Sequence, residues 1–231
     1  KTKATFDVEA SDNSVADLVV KVKDTVKDLN GNKLVESSSA AVDVDTVNPG
    51  VTIADNQSGK SFDGENTVAY TLTFTEGVQK IGTDDLTVTG ATVDSVVHKA
   101  GENTATVNVT VTDDSIANVS ITAKKSIVDL AGNPMVQAVV DASQTVDTVN
   151  PTASYASTIK SQNTNGAANV ASDDDPVVAY TVTFSEPIAA IQASDIDVAG
   201  GTLKSTTLAL SADKTKATFD VEASDNSVAD L

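Results

Sequence analysis

Apolar and polar residues alternate along most of the chain, a period of two that puts successive side chains on opposite faces of a β-strand. In residues 68–74, Val68, Tyr70, Leu72 and Phe74 share one face, and Ala69, Thr71 and Thr73 share the other. Residues 178–184 repeat the arrangement with Val178, Tyr180, Val182 and Phe184. Val107, Val109 and Val111 alternate with Asn108 and Thr110, and Ala4, Phe6 and Val8 alternate with Thr5 and Asp7. Asp63-Gly64, Asp114-Ser115 and Gly132-Asn133 punctuate these runs as turns. No stretch carries the 3.6-residue period of an amphipathic helix.

Within residues 48–149 the pattern predicts strands near 51–53, at 68–74, near 86–89, near 92–97, and at 105–111, 119–123 and 135–140. About seven short strands in roughly 100 residues is the rhythm of an immunoglobulin-like β-sandwich, an all-β fold of two antiparallel sheets. Strands that run alternately up and down would gather the linker before the first strand, the loop after the second and the loop after the sixth at one pole. The loops after the first and fifth strands would meet at the other.

Internal repeats set the domain organisation. KTKATFDVEASDNSVADL fills residues 1–18 and recurs at 214–231, an offset of 213. VDTVNP at 44–49 recurs at 146–151, DLNGN at 28–32 becomes DLAGN at 129–133, and VAYTLTFTE at 68–76 becomes VAYTVTFSE at 178–186. The chain reads as a window on an array of two alternating units in tandem. Residues 48–149 form one complete unit, residues 1–47 the C-terminal part of the other type, and residues 150–231 the N-terminal part of that other type. Neither partial unit can close a sandwich, so each expects completion across chain ends, from a neighbouring molecule or a continuous array. The duplicated string would then compete for one strand position, with one copy displaced.

Composition narrows the function classes. The 231 residues carry a formal charge of −18, so nothing neutralises phosphate and nucleic acid is excluded as a partner, whereas cations are favoured. Cysteine is absent, which removes disulfides and thiolate sites. Aromatics make up 3%, leaving cores of Val, Ile, Leu and Ala. No apolar run reaches membrane-spanning length, and no signal peptide is visible, as expected of an internal segment.

YTVTFSEPI, then SDIDVAGGTL, a DLAGN turn and a VDTVNP linker together resemble the bacterial Ig-like repeats of giant surface adhesins, the repetitive, type I-secreted proteins of biofilms. The resemblance covers the whole chain. It implies non-catalytic extender modules, exported to the bacterial cell surface and contacting neighbouring repeats head to tail. It further implies Ca²⁺ near the junctions and an adhesive ligand gripped elsewhere in the parent protein.

The oxygen-bearing residues fit that expectation. At the first junction stand Asp45 and Asn48 in the linker, Glu76, Asp84 and Asp85 after the second strand, and Asp129 with Asn133 after the sixth, with Asp12, Asn13 and Asp17 approaching from the preceding unit. The second junction repeats the plan with Asp113, Asp114, Asn118, Asp147, Asn150, Glu186 and Asp195. Asp63 and Glu65, with Asp173 and Asp175 as counterparts, mark a further candidate at the opposite pole. Calcium takes six to eight oxygens in irregular geometry, and crowded carboxylates without a cation repel one another. Asp28 heads the DLNGN loop and is a candidate ligand. That loop is no EF-hand, because Gly31 is misplaced and Ser39 stands where the bidentate Glu belongs. Asp, Asn and Gly also favour turns for backbone reasons alone. Neutralising Glu76 or Asp129 is expected to weaken calcium binding and leave the fold intact.

Catalysis has little to rest on. His98 is the only histidine and is expected at the surface. No metalloprotease, nucleophile-elbow, P-loop or dinucleotide motif occurs. Paired carboxylates can cleave glycosides, but the chain offers no aromatic platform for a sugar. The alternative to a spacer is an adhesive module that itself binds a glycan or host protein. Only Tyr70, Tyr155 and Tyr180 could serve it, and two of them face inward by pattern.

Overall fold

The computed structural model describes residues 3–57, 59–160, 171 and 176–224. Asp173, Asp175 and residues 225–231 lie outside them. The chain divides into two units, Lys1–Val149 and Asn150–Leu231.

The first unit begins with a thin hairpin. Strands β1 (Lys21–Val22) and β2 (Ser37–Ser38) pair antiparallel, and isolated bridges join Leu18 to Val42 and Lys27 to Lys33. Val26 and Val35 of the hairpin, and Phe6 and Val8 before it, are exposed.

Residues 48–149 then form the complete sandwich. One sheet holds, in spatial order, β3 (Val51–Asp55), β4 (Thr67–Phe74), β7 (Thr104–Val111) and β6 (Ala91–Val97); the other holds β5 (Leu86–Thr89), β8 (Val119–Ala123) and β9 (Val139–Gln144). The four-plus-three division by chain order is that of the constant-type immunoglobulin sandwich. The period-two pattern explains the core. Val68, Tyr70, Leu72 and Phe74 of β4 are at most 2% exposed and pack with Val107 and Val109 of β7 and Ile121 of β8. Helical structure among the described residues is limited to three-residue 3₁₀ turns.

Two local expectations fail for identifiable reasons. The last strand runs Val139–Gln144 rather than 135–140. Pro134 bridges Val128 and the Met135 N–H bonds the Ile127 carbonyl at 2.9 Å. Met135 is therefore a buried loop anchor, and a bend at 136–137 separates it from the ladder. His98 is buried, at 7% exposure. The β6–β7 register shifts between Val93 and Ser95. This bulge reverses the alternation, so Val96 packs on the core and His98 follows on the same side. Its Nδ1 accepts the Ile81 N–H at 3.3 Å, and its Nε2 lies 3.1 Å from the Glu102 carbonyl oxygen.

Gly90 turns β5 into β6 at φ +76°, and a Cβ there would lie 2.6 Å from the Asn118 carbonyl oxygen. Both the left-handed backbone and the close approach demand glycine.

The Tyr70 hydroxyl is buried without a hydrogen-bond partner. Burial, with Asp55 and Asp141 nearby, pushes its pKa up to about 12. An unsatisfied buried polar group costs about 1–3 kcal/mol. Tyr70→Phe is therefore expected to stabilise this sandwich by about 1 kcal/mol in urea denaturation. A loss of stability would show that the hydroxyl has a partner.

In the second unit β10 (Ala153–Ile159), β11 (Val177–Phe184), β13 (Lys216–Ala223) and β12 (Gly201–Leu210) form one four-stranded sheet. Its spatial order matches that of β3-β4-β7-β6. Tyr180 stacks on Phe219, with ring centroids 5.6 Å apart.

One peptide, KATFDVEA, occurs in both units with different outcomes. At 216–223 it is β13, and Phe219 is 6% exposed. At 3–10 it joins no ladder, and Phe6 is 65% exposed. Propensity is identical, so the neighbouring strands decide.

Candidate metal centre

The DLAGN turn builds the site. The Asp129 N–H donates to the Asn133 carbonyl at 3.0 Å. Its carboxylate accepts the Gly132 N–H at 2.6 Å, the Asn133 N–H at 2.8 Å and the Asn133 side-chain amide at 2.7 Å. Gly132 supplies the left-handed residue, at φ +100°, that closes the turn. Bridging of Val78 to Asp129 then lays the segment after β4 against this loop.

The linker docks on the same loop. The Asn133 amide also donates to the Asp45 carbonyl at 3.0 Å, and the Asn48 amide donates to the Pro134 carbonyl at 2.7 Å. Asp45, Glu76 and Asp129 consequently converge, each offering a carboxylate oxygen within 4.8 Å of the others. Asp129 is fully buried and the other two are half-buried.

The electrostatics are uneven. Burial raises the Glu76 pKa, and the Asp129 and Asp45 charges add to it. Burial also opposes ionisation of Asp129, but its hydrogen bonds from Asn133 and Gly132 outweigh that and lower its pKa. Glu76 thus carries the unrelieved repulsion. Oxygens bound to Ca²⁺ at about 2.4 Å lie no more than about 4.8 Å apart, so the three carboxylates fit a hard divalent cation.

The remaining candidates lie elsewhere. Asp85 and Asp195 cap the 3₁₀ turns Thr83–Asp85 and Ala193–Asp195, accepting the Gly82 N–H at 3.0 Å and the Gln192 N–H at 2.8 Å. Asp12 and Asp113 bond the next residue's N–H in equivalent exposed turns. Asp28 organises DLNGN as Asp129 organises DLAGN, with bonds from Asn30 and Asn32, but in the open; the Asn32 side chain leads in lowering its pKa. Asp147 pairs with Lys60 at 2.8 Å. Glu186 keeps one buried carboxylate oxygen without a hydrogen-bond partner. Among the described residues these seven do not gather into a group like the first three.

The joint has a second half that the pattern of acidic residues did not disclose. In VDTVNP the Thr46 hydroxyl accepts the Ser14 N–H at 2.9 Å and lies 2.8 Å from the Ser11 carbonyl oxygen. Thr148 repeats this, accepting the Ser115 N–H and donating to the Thr112 carbonyl, both at 2.9 Å. Thr46 thus fastens to the Ser14 turn, Thr148 to the Ser115 turn, and Asn48 to the loop after β8. Both threonines and both serines recur in the internal repeat, which is the signal that could have found them. Thr148 is 1% exposed. Thr148→Val strands a buried donor and an acceptor and is expected to cost about 2 kcal/mol in denaturant midpoint experiments. A change below about 0.5 kcal/mol would mean water replaces the hydroxyl.

No helix is long and apolar enough to cross a membrane. No curated protein and no solved structure is significantly similar to the chain. The family model of the bacterial Ig-like domain matches residues 45–148, a span that begins at Asp45 in the linker and takes in both sheets of the sandwich. Residues 45–148 are thus similar to the bacterial Ig-like domain in sequence and fold as an immunoglobulin-like β-sandwich.

Proposed function

We propose that the chain is a non-catalytic extender segment of a large bacterial surface adhesin, its joints stiffened by Ca²⁺. The carrying observation is the two-sided fastening of the linker. Thr46 holds the preceding Ser14 turn, Asn48 and Asn133 hold the following loop, and the acidic triad sits at that same joint. A linker tied on both sides restricts swing between repeats, which a spacer needs and a solitary binding domain does not. A cation would tie Asp45 of the linker to Glu76 and Asp129 of the sandwich and relieve their repulsion. Bacterial Ig-like domains are usually extracellular or surface-exposed, which agrees with a module held outside the cell. Nothing on the complete sandwich favours direct grip of a glycan or host protein. Its exposed large apolar residues, such as Phe62, Ile116 and Val136, include one aromatic among the described residues.

The test is small-angle scattering on this chain and on versions lengthened by one and two repeat pairs, with calcium and with chelator. The maximum dimension should rise in proportion to repeat number in calcium and fall short of that in chelator. A compact particle whose dimension does not grow with repeats would rule out the extender role. Identical profiles in both solutions would rule out calcium stiffening.

A further inference from the structure

The DLNGN turn holds a dipeptide that its DLAGN counterpart lacks. Asn30 precedes Gly31, where Ala131 precedes Gly132. Asparagine is among the chemically labile side chains, and before glycine it can react with its own backbone. The glycine nitrogen attacks the side-chain amide carbon, a succinimide ring closes and ammonia leaves. Water then opens the ring at either carbonyl, giving an aspartyl or an isoaspartyl linkage. The sequence of steps consumes water alone. It needs an amide free to swing, a following residue with no side chain in the way, and room for the ring.

Asn30 meets these conditions. Its backbone N–H donates to Asp28 Oδ1 at 2.9 Å, but its side-chain amide makes no hydrogen bond among the described residues. The residue is exposed. Gly31 sits at φ +93°, and a Cβ there would meet nothing within 4 Å, so the space around it is open. The Gly31 N–H donates to the Asp28 carbonyl at 3.1 Å. That is one bond in an exposed turn, the kind that opens at little cost.

None of this depends on what surrounds the hairpin. In the complete sandwich the Asp129 N–H and the Gly132 N–H close the same turn on Asn133 and Asp129, at 3.0 and 3.3 Å, against 2.9 and 3.1 Å for Asp28 and Gly31. Ala131 and Gly132 are exposed there, and a Cβ on Gly132 would also meet nothing within 4 Å. The tip of the turn therefore faces solvent in both settings. The two unit types differ in the side chain that they place on it.

Other asparagines lack one condition or another. Asn48, Asn133 and Asn150 precede proline, which has no N–H to attack with. Asn108 and Asn118 precede valine, whose branched Cβ crowds the approach. Asn32 ties its amide to Asp28 Oδ2 at 2.8 Å. Asn165-Gly166 repeats the dipeptide in sequence and lies outside the described residues.

We propose that Asn30 is a self-modifying site, which converts through a succinimide to aspartyl and isoaspartyl forms in the folded chain. Conversion replaces a neutral amide with a carboxylate two residues from Asp28. The isoaspartyl form also lengthens the backbone of the turn by one carbon. The DLAGN turn cannot follow, so the two turns diverge as the protein ages. The inference rests neither on calcium nor on the extender role.

The test is to incubate the whole folded chain in mildly alkaline buffer, where the attacking nitrogen loses its proton more readily, and to map its tryptic peptides by mass. Lys27 and Lys33 bound residues 28–33 as a single peptide. That peptide should exchange its amide for a carboxyl, with the isoaspartyl form in excess. Hydroxylamine, which cleaves succinimides, should cut the chain between residues 30 and 31. Asn30→Gln keeps an amide on a longer side chain that cannot close the same ring, and both signals should be lost. Asn30→Ala, which copies the DLAGN turn, should lose them too. The proposal is overturned if the peptide stays intact in the folded chain while the urea-unfolded chain converts, because the turn would then protect it. It is equally overturned if Asn32 in the same peptide converts as fast as Asn30.

Discussion

Asp129→Ala is expected to cost the complete sandwich about 3 kcal/mol, from three donors at about 1 kcal/mol each. The Gly132 N–H, the Asn133 N–H and the Asn133 amide all aim at its carboxylate, and the residue is fully buried. Losing the carboxylate frees the loop that holds Asp45 and Asn48, so the joint loosens with the turn. Asp28→Ala deletes three comparable bonds, from the Asn30 N–H, the Asn32 N–H and the Asn32 amide, in the exposed DLNGN copy and should have much less effect. Guanidinium unfolding of both variants decides. Equal losses at the two positions would mean that burial at residue 129 adds nothing. The buried bonds also revise an expectation from sequence. Asp129→Asn would turn an amide N–H₂ toward donors, so it disturbs the loop whether or not a cation binds. Glu76→Gln is the clean probe of cation binding.

Calcium at a hundredfold excess over its Kd is expected to add about 2.7 kcal/mol by mass action on the folded state. Glu76→Gln should remove most of that gain and, in chelator at neutral pH, be at least as stable as the parent, because it removes the charge that Asp129 and Asp45 repel. The pH profile gives an independent check. Glu76 has a raised pKa, so the folded state holds that proton more tightly than the unfolded chain. Without calcium, its contribution is fully present below the ordinary carboxylate range near roughly pH 4 and is lost as pH rises through the raised value. Asp129 has a lowered pKa, so its contribution is present above that range and lost as pH falls through the lowered value. The metal-free joint should therefore be firmest near roughly pH 4. Calcium should abolish the decline on the alkaline side, because it holds Glu76 ionised. Melting curves with calcium and chelator from acid to neutral pH would expose the idea as wrong if the alkaline decline persisted unchanged.

The alternation along residues 68–74 and 105–111 was enough to place β4, β7 and their inward faces, because a half-buried strand must alternate. The same rule misled at His98, where one bulged residue reversed the parity. It also misled at Met135, whose apolar side chain anchors a loop. Grouping Asp45, Glu76 and Asp129 needed only strand order and the alternation of direction. Asp85, Asp113 and Asp195 could not be told from them by type, since a carboxylate that caps a turn and one that faces a joint read alike. Thr46 and Thr148 went unnoticed because hydroxyls carry no charge to draw attention. The repeat had nonetheless preserved them.

The peptide KATFDVEA, folded at one end and bare at the other, bears on how a long array would assemble. A sandwich that needs its sixth and seventh strands cannot close until they emerge, so a growing array always trails one unfinished face. Every neighbour then displays a hairpin of nearly the right shape, and misassembly between adjacent repeats is the characteristic hazard of such chains. Alternating two sequence types answers it. Adjacent repeats that differ in sequence are poorer substitutes for one another's strands than identical copies would be.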